Sequence, residues 1–324
     1  MGRLRTIPAH DYLVNELPRN QIAASARLTD DPTRQSSDFD VGFILSRQYL
    51  DVSRKIKPTS ASGEKATSGE IRIILWLATA NGARRLVFEN QEAVCFFPAE
   101  QLALVESAIG ESSPAGSSLS RRAAASWRVA PTALKNFQHA PVMALYAPTA
   151  SALAELRRRL LASGVALSEA DIRPSDRFLM ERFITASFAF DAGAESTQLT
   201  NPRIKAAPYR PTLKALSIDI ETDMQAETLY SIAAFGTESQ VVFMVGDTAW
   251  RERLEKQEER ESGFRLEILP SERAVILAFI EHVRVVDPDI LIGWNVVNFD
   301  LRTLQHVCDR LRIALRLGRE VEGE

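Results

Sequence analysis

Asp219 and Glu221 stand two residues apart in LKALSIDIET (213–222). In a β-strand that spacing sends both side chains to one face, while Leu216, Ile218 and Ile220 take the other and pack inward. Carboxylates on one side of an apolar, central strand are costly unless positive charge is paired with them. Divalent metal ions, which bind hard oxygen ligands, are a natural partner. A pair on a solvated sheet edge fits the same spacing. Asp300 is the third candidate, in the first turn of a helix that directly follows an apolar segment, DILIGW (289–294). Strand ends followed by helix starts gather substrates in α/β folds. An acidic residue there also offsets the helix macrodipole without any catalytic role.

The elements that must place these residues are legible around them. LYSIAAF and QVVFMVG read as hairpin neighbours of the first strand. SERAVILAFIEHVRVV (271–286) reads as an amphipathic helix capped by Ser271, with Val275, Ile276, Phe279, Ile280 and Val283 at helical spacing. DILIGW reads as a buried strand, and Asn298 is placed to cap a last helix carrying Leu301, Leu304, Cys308 and Leu311. RERLEKQEERES (251–262) is a dense charge run, read as a solvated face.

Upstream, residues 1–38 have the composition of a loop or disordered extension. FDVGFILSRQYLDV reads as a strand, and EIRIILWLATANGARRLVFEN as two strands around the turn-favouring Asn81-Gly82, a sheet that AVCFFPAE is expected to continue. After a soft segment at 111–126, VMALYA (142–147) is a strand. Pro148-Thr149 opens a helix with Leu153, Leu156 and Leu160 on one face, closed by Gly164, and VALSEADI (165–172) is expected to return as a strand. Ser175 is the expected cap of the helix DRFLMERFI. A loose stretch at about 192–211 separates two domains, 39–195 and 196–324. The fold class is mixed α/β.

Composition sets outer limits. With 324 residues, 45% hydrophobic and 25% charged, the chain can bury a sizeable core. A net charge of -3 gives no overall basic footprint for nucleic acid, although a carboxylate metal site would itself pull the balance towards acid. The two cysteines, Cys95 and Cys308, and four scattered histidines do not make a disulfide framework or a zinc cluster. No apolar run reaches the roughly 18–20 residues that span a bilayer, and no secretory leader follows the basic start. A soluble, cytoplasmic protein without membrane partners is expected.

Taken together, SIDIET and, well downstream, DPDILIGWNVVNFDLRTL resemble the first two exonuclease motifs of bacterial family B DNA polymerases. The first is Asp-x-Glu at a strand end, and the second Asn-x-x-x-Phe-Asp, here Asn295 to Asp300. EADIRPSDRFLMERFI and the Pro-Tyr-Arg-Pro-x-Leu-Lys run are similar to the segments leading into that domain. The resemblance implies a mixed α/β amino-terminal domain over 39–195, followed over 196–324 by the first part of a ribonuclease-H-like 3′–5′ exonuclease domain. It implies two Mg²⁺ ions (Mn²⁺ as a substitute) about 3.5–4 Å apart at the terminal phosphodiester. Asp219 would bridge them, Glu221 would hold the nucleophile-side ion, and Asp300 would reach the second. Asn295 and Phe299 match the remaining motif positions and are candidates for a primer-end contact; a turn Asn and a core Phe are the competing readings.

The implied partners are DNA, with the primer 3′ end single-stranded in the exonuclease site, dNTPs in the parent polymerase, and a sliding clamp. The family's third motif, Tyr-x-x-x-Asp, and its polymerase motifs are not in these 324 residues, so little nuclease activity is expected of the chain alone. A stand-alone exonuclease of the same carboxylate type and a non-catalytic DNA-binding module are the alternatives. Arg121-Arg122, Arg157–Arg159, Trp127 and Trp294 are the candidates for further DNA contact, against solvated or core roles.

Overall fold

A computed structural model describes residues 39–55, 67–110, 127–191, 197–237, 239–247, 249 and 264–319. The extension 1–38, the soft segment 111–126 with Arg121-Arg122, and the charge run 251–262 lie outside the described residues. The chain divides into two compact units, Met1–Arg210 and Pro211–Glu324. Among the described residues no helix is long and apolar enough to cross a membrane.

The first unit is built on a long hairpin, β1 (Phe39–Lys55) against β2 (Thr67–Thr79), which turns again into β3 (Gly82–Gln91). Gly82 supplies the positive φ of that second turn, +94°, and Thr79 Oγ1 accepts the Asn81 N–H. With β7 (Ser187–Asp191), β8 (Gln198–Thr200) and β9 (Ile204–Ala206) these strands form a six-stranded sheet, ordered β8-β3-β2-β1-β7-β9. Residues 198–206 therefore pair within the first unit, and the units part between Arg210 and Pro211, further along than the 195/196 division.

β4 (Ala93–Pro98) does not continue that sheet. Asn90 takes a left-handed conformation (φ +58°), the chain breaks from strand at Glu92, and β4 pairs instead with β6 (Pro141–Ala147), which also pairs with β5 (Arg128–Lys135). Buried along almost its whole length, β4 has neighbours on both faces.

Helix α1 (Leu102–Gly110) and helix α2 (Ala150–Ala162) pack on this layer. α2 starts where expected, because Thr149 Oγ1 accepts the Ala152 N–H. The return strand at 165–172 does not form: one bridge, Phe96 to Ser168, is all that pairs, and Glu169 (φ +56°) turns the chain away. Helix α3 (Pro174–Met180) begins with Pro174 behind Arg173, and Ser175 is buried inside it rather than capping it.

The second unit is a five-stranded mixed sheet, β13-β12-β11-β10-β14. Its strands are β10 (Ala215–Thr222), β11 (Leu229–Gly236), β12 (Gln240–Val245), β13 (Arg265–Leu269) and β14 (Ile290–Ile292). β13, in parallel register with β12, was not foreseen from its short alternating sequence. Helix α4 (Glu272–Val286) has the predicted Ser271 cap, whose hydroxyl accepts the Ala274 N–H, and buries Val275, Ile276, Phe279 and Val283. Helix α5 (Asp300–Leu311) adds Leu304, Val307 and Cys308 to the same core. β14 is not the buried strand expected: three residues long, it pairs with β10 alone, and Ile290 and Ile292 are exposed.

Candidate active site

β10 alternates as its sequence dictates. Leu216, Ile218 and Ile220 are buried against α4 and α5, and Asp219 and Glu221 leave the opposite face, exposed. On one side β10 pairs with β11 throughout, Asp219 opposite Ala233 and Glu221 opposite Ser231. On the other it meets β14 in parallel only from Ala215 to Ser217. The carboxylates therefore sit at the carboxyl end of β10, beyond the last β14 pairing.

The chain from β14 to α5 crosses this end of the sheet. A Cβ on Gly293 would stand 2.5 Å from the Ile218 carbonyl oxygen, so the crossing requires glycine. Asn295 takes the left-handed conformation (φ +56°), which a short polar side chain tolerates, and its carbonyl accepts the Phe299 N–H at 3.0 Å. Asn295 is thus a turn residue with an exposed side chain. Phe299 is not a core residue: it is exposed and occupies the N-cap position of α5 without a capping side chain, so Asn298 does not cap the helix either. Trp294 is 92% exposed.

Asp300, the first residue of α5, is 1% exposed, and neither carboxylate oxygen has a hydrogen-bond partner. Burial pushes its pKa up, and the charge of Asp219 pushes it further; the backbone N–H groups of Asp300 itself and Ile220 oppose this without forming full hydrogen bonds. Asp219 and Asp300 are therefore brought within electrostatic reach of each other, although they lie far apart in sequence. Among the described residues no three Asp, Glu, His or Cys side chains stand close enough to hold a metal ion, so Glu221 does not close a trio with them in this conformation. The arrangement offers a cation one buried, unpartnered carboxylate beside exposed ones.

Of the other candidates, Trp127 packs on the core of the first unit, and Arg158 and Arg159 both pair with Glu155. Arg157 lines a cavity of about 180 Å³ together with Arg173 and Arg177. The sequence reading missed the structural demand at Gly293, whose only local signal was a glycine directly after an apolar strand.

Residues 170–319 match the family described as DNA polymerase family B, exonuclease domain. DNA polymerase II of Escherichia coli (strain K12) is 36% identical over 281 residues, which is 86% of this chain and 31% of that protein. A DNA polymerase of Thermococcus aggregans is 40% identical over 57 residues, 18% of this chain and 3% of that one. The solved family B DNA polymerase of Pyrobaculum calidifontis matches in fold with a TM-score of 0.60 at 18% identity, over 86% of this chain and 33% of its own. The chain spans about a third of the length of the two relatives that match most of it. With a strand-end carboxylate pair and a distant helix-start aspartate both inside the matched residues 170–319, the chain belongs to DNA polymerase family B.

Proposed function

We propose that the chain is the leading part of a DNA-directed DNA polymerase, and that its second unit contributes to a 3′–5′ proofreading exonuclease. Asp219, Glu221 and Asp300 hold its divalent cations, Mg²⁺ in the cell and Mn²⁺ as a substitute. One observation carries this reading. Asp300 is buried with both oxygens unpartnered and with the charge of Asp219 nearby, an arrangement that costs stability until a cation arrives.

Divalent ions at such a site lower the pKa of an attacking water and stabilise the departing oxygen of a phosphodiester. The protein's own residues do the rest. Asp219 and Glu221 face outward at the open end of β10, so a strand end reaches them from solvent, and the long side chain of Glu221 is free to turn towards an ion. Asn295 and Phe299 would steady a primer terminus, a reading supported by the exposure of both on the crossing between β14 and α5. The partners are DNA and, in the polymerase as a whole, dNTPs and a sliding clamp; the setting is the cytoplasm, at the nucleoid.

The test is thermal unfolding of the chelated chain with and without Mg²⁺ or Mn²⁺. A cation bound only by the folded state raises the unfolding temperature by mass action. The wild-type chain is expected to respond, and Asp300→Asn and the Asp219→Ala/Glu221→Ala pair to respond less or not at all. Equal responses in all three would remove the metal assignment. In the same samples a labelled single strand of DNA should survive, because no three ligands are assembled among the described residues.

A further inference from the structure

The first unit carries an open groove of about 640 Å³, lined by two stretches of chain, Phe183 to Ser187 and Ala206 to Arg210. The first stretch begins at the end of α3. The Ile184 N–H bonds the Leu179 carbonyl and the Phe183 N–H bonds that of Met180, both at 3.0 Å, with Ile184 and Leu179 buried. This is the double hydrogen bond of a Schellman ending, which puts Phe183 in the left-handed position where glycine is the favoured residue. Phe183 has φ +54° and a ring 88% exposed. The helix ending needs no ring there, and the ring buries almost nothing.

The second stretch is held by one hydroxyl. Ser187 Oγ donates to the Ala207 carbonyl at 2.8 Å and accepts the Tyr209 N–H at 3.0 Å, fixing the strap that follows β9. Tyr209 lines the groove, half-buried, and Arg210 at its end is exposed, with no ion pair among the described residues. Two aromatic rings beside a free guanidinium are the parts that sequence-tolerant single-strand binding uses, the rings for base stacking and the cation for phosphate.

We propose that this groove takes a segment of single-stranded DNA, with bases stacked on Phe183 and Tyr209 and a backbone phosphate at Arg210. The choice of polymer rests on the polymerase reading above; the groove itself is separate from the carboxylates of the second unit.

The test is fluorescence anisotropy of the 324-residue chain in EDTA, with a labelled oligothymidylate and an abasic strand of equal length. Phe183→Gly suits the left-handed position, so its unfolding temperature should equal or exceed that of the wild type. Its affinity for oligothymidylate should fall about fivefold or more, the loss of one stacked base, and its affinity for the abasic strand should hold. Tyr209→Ala should likewise lose affinity for oligothymidylate and keep it for the abasic strand, and Arg210→Ala should weaken both and flatten the salt dependence. The proposal is overturned if the wild-type chain does not bind oligothymidylate, or if Phe183→Gly and Tyr209→Ala bind it as the wild type does. EDTA keeps the carboxylate site out of this measurement, so failure here leaves the cation-linked unfolding result standing, and the reverse holds.

Discussion

In the first unit Arg85 is 5% exposed, and its guanidinium still donates to the Gln198 side chain at 2.5 Å across the β3–β8 pairing. Arg177, also buried, is tied to Glu169 and Glu181. In the second unit Asp300 is as deeply buried, and neither oxygen meets a donor. Burying a charge without a partner costs more than most folds tolerate. The first unit meets most of that cost internally, each guanidinium keeping a partner although Arg85 Nε and Arg177 Nε have none, whereas Asp300 has no partner at either oxygen. A side chain that keeps one partner stays tolerable inside the fold, whereas a carboxylate with none at either oxygen is the costlier case.

Three substitutions can break or sharpen this contrast. The largest effect is expected from Arg85→Ala, which removes a buried guanidinium and its hydrogen bond to Gln198 on the edge strand β8. It should cost about 2–3 kcal/mol in chemical denaturation, as lost hydrogen bonds to a charged group do. An unchanged midpoint would show that the pairing is ornamental.

Gly293→Ala comes next. The added methyl meets the Ile218 carbonyl, so the crossing must shift, at about 1–3 kcal/mol by the usual cost of overpacking. If the shift draws Asp300 away from Asp219, the cation response in thermal unfolding should fall with it. A full response from a destabilised Gly293→Ala protein would show that the crossing does not position the site.

Asp300→Asn should have the opposite sign to Arg85→Ala. In chelator at neutral pH it should raise stability by about 1 kcal/mol, the lower end of the penalty for an unsatisfied buried group. Its pH dependence follows from the raised pKa. The folded state holds the Asp300 proton more tightly than the unfolded state, so stability from this group is full below its ordinary value of 3.8 and is lost as pH rises through the higher folded value. The advantage of Asn over Asp should therefore shrink on acidification. An advantage constant across that window would mean that the Asp300 carboxyl is not the source of the cost.

Much of this was legible in sequence because the signals were local. Alternation alone placed Asp219 and Glu221 on one face of β10, and Thr149 and Ser271 marked the starts of α2 and α4 through hydroxyls that reach their own first turns. What was not legible depended on partners distant in the chain. The apolar run at β4 fitted either sheet, and only its pairing with β6 decides between them. The segment 165–172 had strand composition but found a single bridge. Ile290 to Ile292 looked like core, yet an edge strand of three residues leaves both isoleucines exposed. In the candidate site, residue types and spacing singled out Asp300 as a candidate, but its burial, its unpartnered oxygens and the demand for glycine at 293 come from how the crossing folds over β10.

The short parallel pairing of β14 has a dynamic corollary. Residues 215–217 of β10 are held from both flanks, while 219–222 are held from the β11 flank alone. Amide protons in the second half should therefore exchange with solvent sooner than those in the first, through local opening that leaves the remaining sheet intact. The strand is anchored at its base and compliant at its tip, so the two carboxylates ride on its yielding half while the core beneath them keeps its shape.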